Sequence, residues 1–200
     1  MTVKGRRAEY AEATRAALVE TARRLFIEQR YSDLSADEIA RAARLTRGAV
    51  YHHFGGKQGL FEAVFEQVEQ KLTERLTSAI VEPDNPSWDT AVHALNVFLD
   101  ECTDAAYQRI VLQEGPLALG WDRWRELDER YMVGLIRDSV DRLIRADVFK
   151  PRSTELTVRA IYGLLTELAW SMADTSDRNT RREAGQIALD MIGSLRRTTE

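Results

Sequence analysis

The spacing of the apolar residues restricts the fold of this chain more than any other feature, because they recur three or four positions apart along almost its whole length. This spacing places them on one face of an α-helix, and no run of alternating β-branched residues indicates a strand. The pattern predicts an all-α fold of about nine helices. They are expected at about residues 9–29, 36–43, 47–54, 57–80, 87–103, 105–115, 121–145, 154–173 and 178–197, with breaks at Gly55-Gly56, residues 82–86, Gly115-Pro116, Lys150-Pro151 and residues 174–177.

The composition is that of a globular protein and leaves few groups for metal or redox chemistry. Of 200 residues, 44% are hydrophobic and 30% are charged, so the chain can bury a substantial core. Cys102 is the one cysteine, which excludes an internal disulfide, and three histidines add little to it as metal ligands. We therefore predict neither a cofactor nor a metal site.

The sequence also disfavours membrane insertion and catalysis. No apolar run approaches the roughly 18 residues of a membrane-spanning helix, and residues 1–10 lack the apolar segment of a signal peptide. His52 and His53 are adjacent and face different sides of a helix, Cys102 has no histidine nearby, and no glycine-rich phosphate loop follows a strand. We expect a cytoplasmic protein that has no membrane contact and is not an enzyme.

The charge is distributed unevenly along the chain, although the net charge is −4. Residues 1–60 contain eleven Lys or Arg and seven Asp or Glu, for a net charge of +4, whereas the remaining residues carry −8. A basic segment joined to an acidic body favours a polyanionic partner for the first segment only. A chance fluctuation of surface charge is the alternative.

Two short helices joined by a tight turn are predicted between residues 35 and 54. Ser35 and Glu38 form a capping box that starts the first, and Thr46 can cap the second, which ends at Gly55. The second helix has one face with Arg47, Gly48, Tyr51 and His52 and an opposite face with Val50, His53 and Phe54. A helix-turn-helix places such a polar face in the major groove of DNA, although a surface helix of an α-bundle also fits.

A set of residues at fixed spacing connects this segment with a known family. It comprises Ile39-Ala40, Thr46-Arg47-Gly48, Tyr51, His53-Phe54, Lys57 and Leu60, and Leu25-Phe26 extend it over most of residues 10–65. These residues closely resemble the DNA-binding domain of the tetracycline-repressor (TetR) family of bacterial transcription regulators. The resemblance implies a homodimer whose two recognition helices lie in successive major grooves of a twofold, double-stranded DNA operator.

The resemblance also implies roles for individual residues. Carried over by position, Arg47 is the best candidate for reading a base, while Tyr51, His52 and Lys57 would hold phosphates. Lys57 also lies beside the exposed amides of a helix N-terminus, a natural phosphate site, with a solvated lysine as the alternative. The predicted DNA-binding residues are Ser35, Arg44, Thr46, Arg47, Gly48, Tyr51, His52 and Lys57.

Two arginines stand where similar sequences usually have glycine. Arg30 follows the first helix and Arg44 lies in the turn between the two short helices. Each is expected to be forced toward a positive φ, which costs on the order of 1 kcal/mol, and each adds to the positive face. A basic arm, residues 1–8 with Lys4, Arg6 and Arg7, either follows the minor groove or has no role.

The rest of the chain is predicted to bind an effector and to form dimers. We expect a DNA-binding domain at residues 1–56 and a second domain at residues 57–200, with the helix at 57–80 as connector. All four tryptophans lie in the second domain, where aromatic residues line either an apolar ligand cavity or the core of the bundle. The candidate ligand-binding residues are Phe98, Cys102, Glu114, Trp121, Trp124, Asp128, Tyr131, Glu167 and Trp170.

Glu167 is an acidic residue that the sequence places in an apolar environment. Its helix is apolar on most sides, so the carboxylate is expected to be buried and to need a partner. An effector, a buried arginine or a second subunit could supply it, and Glu114 is a weaker candidate of the same kind.

The last two helices have apolar stripes that fit a four-helix dimer interface, or else complete the core of one chain. The predicted interface residues are Ile161, Leu165, Leu168, Met172, Ala184, Ile187, Ala188, Met191 and Leu195. The sequence as a whole therefore predicts a homodimeric repressor that a small, apolar or aromatic effector releases from a palindromic operator. The alternative is an effector-independent DNA-binding or partner-binding protein with a solid C-terminal core.

Overall fold

The computed structural model describes residues 3–81, 86–173 and 178–197, and this part of the chain contains nine α-helices. The predicted all-α class is confirmed, and the two helices that begin at Trp121 and Thr154 have the predicted bounds. None of the described helices is long and apolar enough to cross a membrane. The helices are α1 (Val3–Glu28), α2 (Ala36–Ala42), α3 (Arg47–Phe54), α4 (Lys57–Val81), α5 (Trp88–Glu101), α6 (Gly115–Leu119), α7 (Trp121–Arg145), α8 (Thr154–Ala173) and α9 (Arg178–Gly193).

Helix α1 begins six residues earlier than predicted, so most of the expected arm belongs to it. The helix starts at Val3, and residues 3–8 are therefore its first turns rather than a separate segment. The side chains of Lys4, Arg6 and Arg7, to which we assigned a contact with the minor groove, lie outside the described residues. Their role stays a prediction.

The capping box of α2 forms as predicted. The Glu38 amide donates to Ser35 Oγ at 3.2 Å, and the Ser35 amide donates to Glu38 Oε2 at 2.8 Å. Thr46 is the N-cap residue of α3 by position, but its side chain makes no capping hydrogen bond. Gly55 ends α3 with a φ of 73°, as a left-handed C-terminal residue should.

The two arginines at usual glycine positions behave differently. Arg44 has a φ of 56°, and the Leu45 amide donates to the Ala40 carbonyl at 2.8 Å, which closes α2 with a Schellman motif. The prediction is confirmed for Arg44 and wrong for Arg30, which has a φ of −67° in ordinary extended backbone. A short 3₁₀ turn at Tyr31–Asp33 follows Arg30 and changes the direction of the chain without a left-handed residue.

The helix predicted at residues 105–115 has a different form. Residues Tyr107–Glu114 form a π-helix that continues directly into α6, and the break occurs at Gly120, which has a φ of 81°, rather than at Gly115-Pro116. Pro116 lies in the first turn of α6, directly after the π-helix.

The chain forms two compact units whose boundary lies inside α4. The first unit contains residues 1–68 and 109–124, and the second contains residues 69–108 and 125–200. This division differs from the one predicted after residue 56, because the first turns of α4 and the segment 109–124 belong to the first unit. Phe26, Phe61 and Trp124 are among the fully buried side chains of the first unit, and Leu72, Leu99 and Met172 among those of the second.

Candidate functional site

The outward face of α3 is the first candidate site. Val50 is fully buried and His53 and Phe54 are half-buried, which seats α3 on its unit. The predicted division of the helix into two faces is confirmed by exposure. Seven predicted DNA-binding residues are exposed, namely Ser35, Arg44, Thr46, Arg47, Gly48, Tyr51 and His52.

Arg47 and Tyr51 form a pair on this face, one helical turn apart. Arg47 Nη2 donates to Tyr51 Oη at 3.2 Å, and the guanidinium lies over the phenol ring at 5.2 Å from its centre. The stacked arrangement limits the rotamers of a long side chain that points into solvent. A bidentate donor is thus held at the start of α3, where a helix in the major groove makes its base contacts.

Gly48 is a glycine that the fold itself does not require. A Cβ built there would meet only Thr46 Oγ1, at 3.7 Å, which is ordinary contact. Gly59, which the sequence analysis did not single out, is the opposite case, because a Cβ there would lie 2.0 Å from the Phe54 carbonyl oxygen. Gly59 therefore allows the close approach between α4 and the end of α3, whereas Gly48 leaves the exposed surface flat.

Lys57 is half-buried and already has partners within the first unit. Its Nζ donates to the carbonyl oxygens of Tyr31 and Leu34 at 2.8 and 2.7 Å, and it lies 4.0 Å from the centre of the Tyr31 ring. The lysine thus fastens the segment before α2 to the first turn of α4. This geometry favours a positioning role for Lys57 over the predicted phosphate contact.

Glu114 is buried in the first unit and is also paired, so it is not a free ligand group. Its carboxylate accepts from the Tyr31 amide at 3.1 Å and lies 3.2 Å from Arg109. Tyr31 thus connects Glu114, at the end of the π-helix, with Lys57. An aromatic cluster of Phe26, Tyr31 and Phe61 surrounds this connection, with ring centres 5.0 to 6.0 Å apart.

Trp124 and Trp121, two predicted ligand-binding residues, also belong to the first unit. Trp124 is fully buried, donates from Nε1 to the Val111 carbonyl at 2.9 Å, and packs so closely on Gly115 that a Cβ there would come within 2.7 Å of its ring. Trp121 is 47% exposed and its ring lies 5.1 Å from that of Trp124. Trp124 is therefore part of a solid core.

The second unit contains an apolar cavity that we take as the second candidate site. Its volume is ≈ 100 Å³. It is smaller than the cavity of roughly 150 Å³ that takes up benzene, so a ligand there is expected to be a small compound. Of the predicted ligand-binding residues, only Phe98 is in its wall, which includes Leu76 and Ile80 of α4, Leu95 and Phe98 of α5, Met132 and Ile136 of α7, Ile161 and Leu165 of α8, and Ile192 of α9.

Buried acidic groups of the second unit lie on the helices that form the cavity. Asp128 of α7 accepts a hydrogen bond from the Tyr162 hydroxyl, and both residues are buried. Glu69 of α4 is fully buried, and neither of its carboxylate oxygens has a hydrogen-bond partner among the described residues. Glu69 is not among the predicted ligand-binding residues, although it stands on the apolar stripe of α4, four residues after Phe65 and three before Leu72.

The ionisation of this cluster is strongly perturbed. Burial raises the pKa of Glu69 well above its ordinary value, and the neighbouring Asp128 carboxyl raises it further. Burial also raises the pKa of Asp128 to about 6, against the lowering effect of the Tyr162 hydrogen bond. Burial raises the pKa values of Cys102 and Tyr107 as well, and the nearby carboxyls of Glu69 and Asp128 raise them further. The cluster therefore disfavours negative charge.

Four other predicted ligand-binding residues have different environments. Glu167 is exposed on α8, so its predicted burial is wrong, because the helix turns this position away from its neighbours. Tyr131 and Trp170 are half-buried. Cys102 is fully buried, one helical turn after Phe98. No group of three or more His, Cys, Asp or Glu in the described ranges is arranged to hold a metal ion.

The predicted dimer residues fall into two sets. Ile161, Leu165, Met172, Ala184 and Ala188 are buried within the chain, and the first two line the cavity, so they are not available to a second subunit. Ile187 and Met191 of α9 are 48% and 56% exposed, and Leu168 and Leu195 are half-buried. The apolar stripes of α8 and α9 thus complete the core on one side, and only part of them faces outward.

Two family models match the chain. Residues 18–64 match "Bacterial regulatory proteins, tetR family", and residues 88–195 match "Tetracyclin repressor-like, C-terminal domain". The Transposon Tn10 TetC protein of Escherichia coli is 27% identical over 169 residues, which cover 84% of this chain and 85% of that protein.

Two solved structures are similar over nearly the whole chain. A tetR-family transcriptional regulator from Pectobacterium atrosepticum has 34% sequence identity and a TM-score of 0.82, covering 96% of this chain and 98% of its own. RolR, solved in complex with the ligand resorcinol, has 20% identity and a TM-score of 0.69, covering 93% of this chain and 90% of its own. At that identity, the likeness to RolR concerns the fold alone.

Proposed function

Because this chain belongs to the tetR family of bacterial regulatory proteins, and is thus a DNA-binding transcriptional regulator, we propose that it is a homodimeric repressor which a small effector releases from a palindromic operator. The observation that carries the proposal is the outward face of α3, where Arg47 and Tyr51 are exposed beside the unobstructed Gly48. Such a regulator acts where the chromosome is, in the cytoplasm, and the proposal contains no catalytic step.

The proposed reading of DNA follows from the chemistry of this face. Arg47 can donate two hydrogen bonds to guanine, and Gly48 lets the backbone of α3 approach the bases closely. Tyr51 and His52 would contact phosphates, which set the register of α3 but carry no base code. Ser35, Arg44 and Thr46 are exposed at the edge of this face and would add further backbone contacts.

The proposed dimer uses the outward side of α8 and α9. Ile187 and Met191 are large apolar side chains with about half of their surface exposed, and Leu168 is half-buried on the neighbouring helix. Two helices from each subunit would form a four-helix interface around a twofold axis. This assignment keeps four of the nine predicted interface residues, Leu168, Ile187, Met191 and Leu195, and leaves the others in the core.

The proposed effector binds in the cavity of the second unit. The wall of the cavity is apolar, and its small volume favours a small effector. RolR, a protein of the same fold, was solved with a small ring compound, resorcinol. Helix α4 is continuous from Lys57 to Val81 and contributes Leu76 and Ile80 to the wall, so a ligand there can bias its position. A coupling of about 1–3 kcal/mol would weaken operator binding several-fold to a hundredfold.

Selection of bound duplexes from a random DNA library by the purified protein tests the proposal. We expect a palindrome whose half-sites are about one helical turn apart. Arg47→Ala should relax the preference at one base pair of each half-site by about 1–3 kcal/mol. Arg152→Ala, which removes the same charge from an exposed position before α8, is the matched control and should not change the selected sequence. Enrichment of no sequence by the wild-type protein would contradict operator binding.

A further inference from the structure

Three buried glutamates of this chain differ in what surrounds their carboxylates. Glu101 of α5 is paired with Arg75 and lies 3.7 Å from Lys71. Glu114 is paired with Arg109 and accepts a backbone hydrogen bond. Glu69 is as deeply buried as either, yet both of its oxygens lack a hydrogen-bond partner within the described residues. An unpaired polar group in a core is costly, so its presence calls for a specific explanation.

The cations of the second unit nearest in sequence are committed to other acids. Lys71 and Arg75 follow Glu69 on α4 but pair with Glu101. Arg181 of α9 pairs with Asp100. The acidic or neutral groups that influence the region of Glu69 come from several elements: Asp128 of α7, Tyr162 of α8, Cys102 after α5, and Tyr107. Arg125 of α7 and Arg181 also act on this region, because they lower the pKa values of Asp128 and Cys102, but Arg125 pairs with Glu129. Within the described residues, the cations that act on this cluster therefore already have acidic partners, and none of them donates a hydrogen bond to Glu69.

The register of the helices places this cluster within one or two turns of residues that line the apolar cavity. Asp128 precedes the cavity residue Met132 by one turn, about 6 Å along α7, and Cys102 follows Phe98 by one turn on α5. Tyr162 is adjacent to Ile161, which lines the cavity. Glu69 precedes Leu76 by two turns on the same face of α4. The two acids are thus not in the wall itself, but lie one or two helical turns from residues that form it.

We propose that the buried acid pair, Glu69 and Asp128, binds the positively charged group of the effector, while the apolar wall of the cavity binds its ring or hydrocarbon part. The proposal names the chemical class of the effector and so rests on the proposed function. It predicts an aromatic or hydrocarbon ammonium compound rather than a neutral or acidic one. Asp128 is held toward the site by the Tyr162 hydroxyl, and Glu69 has both oxygens available.

A cation at this position would also change the protonation of the pair. Asp128 interacts with Glu69, and Cys102, Tyr107 and Tyr162 complete the surroundings. Burial favours the protonated form of both carboxyls, although Arg125 lowers the pKa of Asp128. An ammonium group nearby favours the charged form of a carboxyl. Binding of a cation should therefore release protons, whereas binding of a neutral ring compound should release none.

Titration calorimetry of the full-length protein with three probes of one shape tests the proposal. The probes are 2-phenylethylammonium, 2-phenylethanol and 3-phenylpropionate, which differ mainly in the charge of the polar end. We expect the cation to bind about tenfold more tightly than the alcohol, or better, and the anion to bind most weakly. Only for the cation should the heat depend on the ionisation enthalpy of the buffer. Equal binding of the cation and the alcohol, or no binding of any probe, would overturn the proposal.

Two variants with one control assign the preference to the pair. Glu69→Gln keeps the shape of the side chain and should abolish the preference for the cation and its proton release. Asp128→Asn should reduce both the preference for the cation and the proton release. It provides an independent measurement if the Glu69→Gln variant folds poorly. Glu167→Gln removes the same charge from an exposed site on α8 and should leave the preference unchanged. A preference that persists in the Glu69→Gln, Asp128→Asn double variant would assign cation binding elsewhere and refute the proposal.

Operator release, measured separately, distinguishes this proposal from the function on which it rests. If 2-phenylethylammonium binds with the expected dependence on Glu69 but leaves the operator complex intact, cation recognition is supported and effector-controlled repression fails. If ring compounds release the operator without any preference for a positive charge, repression is supported and the buried acid pair fails.

Discussion

The surface around α3 and the interior of the second unit handle charged groups in opposite ways. Around α3, Arg47 lies in solvent against Tyr51, and Lys57 donates to two carbonyl oxygens. In the second unit, Glu69 is held in the core with no hydrogen-bond partner among the described residues. The cations around α3 thus have interaction partners within the chain, whereas the Glu69 carboxylate has no hydrogen-bond donor among the described residues.

The difference follows from where each ligand binds, which is the solvent-exposed surface for DNA and the protein interior for the effector. A polyanion such as DNA approaches from water, where exposed cations are well solvated and cost little to maintain. A small effector must be recognised inside a core, where a polar group can discriminate only if it is desolvated before the ligand arrives. We infer that a core which retains an unpaired acid gives up stability in return for selectivity.

The largest expected effect concerns the rigid joint that supports α3. Gly59→Ala places a Cβ 2.0 Å from the Phe54 carbonyl oxygen, so the backbone between α3 and α4 must move. We expect a loss of about 3 kcal/mol in the free energy of unfolding, measured in urea. Gly134→Ala is the control, since a Cβ there has no neighbour within 4 Å, and it should stabilise α7 by about 0.5–1 kcal/mol. Similar values for the two variants would show that the joint is adaptable.

The second prediction compares how the free energy of unfolding depends on pH when Glu69 or Glu101, two buried glutamates of the second unit, is replaced. A carboxyl whose pKa is raised by folding contributes stability below its unfolded pKa of about 4.3, and this stability is lost as the pH rises through the folded pKa. The pKa of Glu69 is raised, so Glu69→Gln should change stability little at pH 4 and increase it by about 1–3 kcal/mol at pH 8.

The matched control is the same substitution at Glu101, which has resident cations. Glu101→Gln removes the partner of Arg75 and should destabilise the protein at pH 8, in the direction opposite to Glu69→Gln. Urea unfolding at both pH values measures the difference. If both variants lose stability at pH 8, Glu69 has a stabilising partner and the contrast between the two regions disappears.

The third prediction separates positioning from phosphate contact at Lys57. Lys57→Met keeps the aliphatic stem but leaves the carbonyls of Tyr31 and Leu34 without their ammonium donor, which should cost about 1–2 kcal/mol of stability. Operator affinity should fall, while the slope of log affinity against log salt should stay the same. A slope reduced by about one would instead indicate a direct phosphate contact, as the sequence alone predicted.

The smallest expected effect on stability is at Gly48. Gly48→Ala meets only Thr46 Oγ1 at 3.7 Å, so it should increase the free energy of unfolding by about 0.5–1 kcal/mol. Operator affinity should fall in the same variant, because the added methyl group stands on the face that approaches the bases. Unchanged affinity, measured by fluorescence anisotropy, would show that α3 does not bring this residue close to DNA.

Local sequence signals determined the helices and the outward face of α3. The apolar period predicted α7 and α8 with their observed bounds, and the capping box at Ser35 predicted the start of α2. These features depend on side chains three or four residues apart and on hydrogen bonds within one turn. Both interacting residues are therefore close together in the sequence. The many-position match around Thr46-Arg47-Gly48 was specific for the same reason.

Only the tertiary structure decided which polar groups are paired. It assigned the carbonyls of Tyr31 and Leu34 to Lys57, exposed Glu167, and buried Glu69 without a partner. The apolar residues of α8 predicted for the dimer include Ile161 and Leu165, which instead line the cavity. Helical periodicity shows that a residue lies on an apolar face, but burial and pairing depend on which distant helix covers that face. The sequence by itself therefore determined the fold and the recognition helix, while the ligand chemistry of the core followed from contacts between residues far apart in the chain.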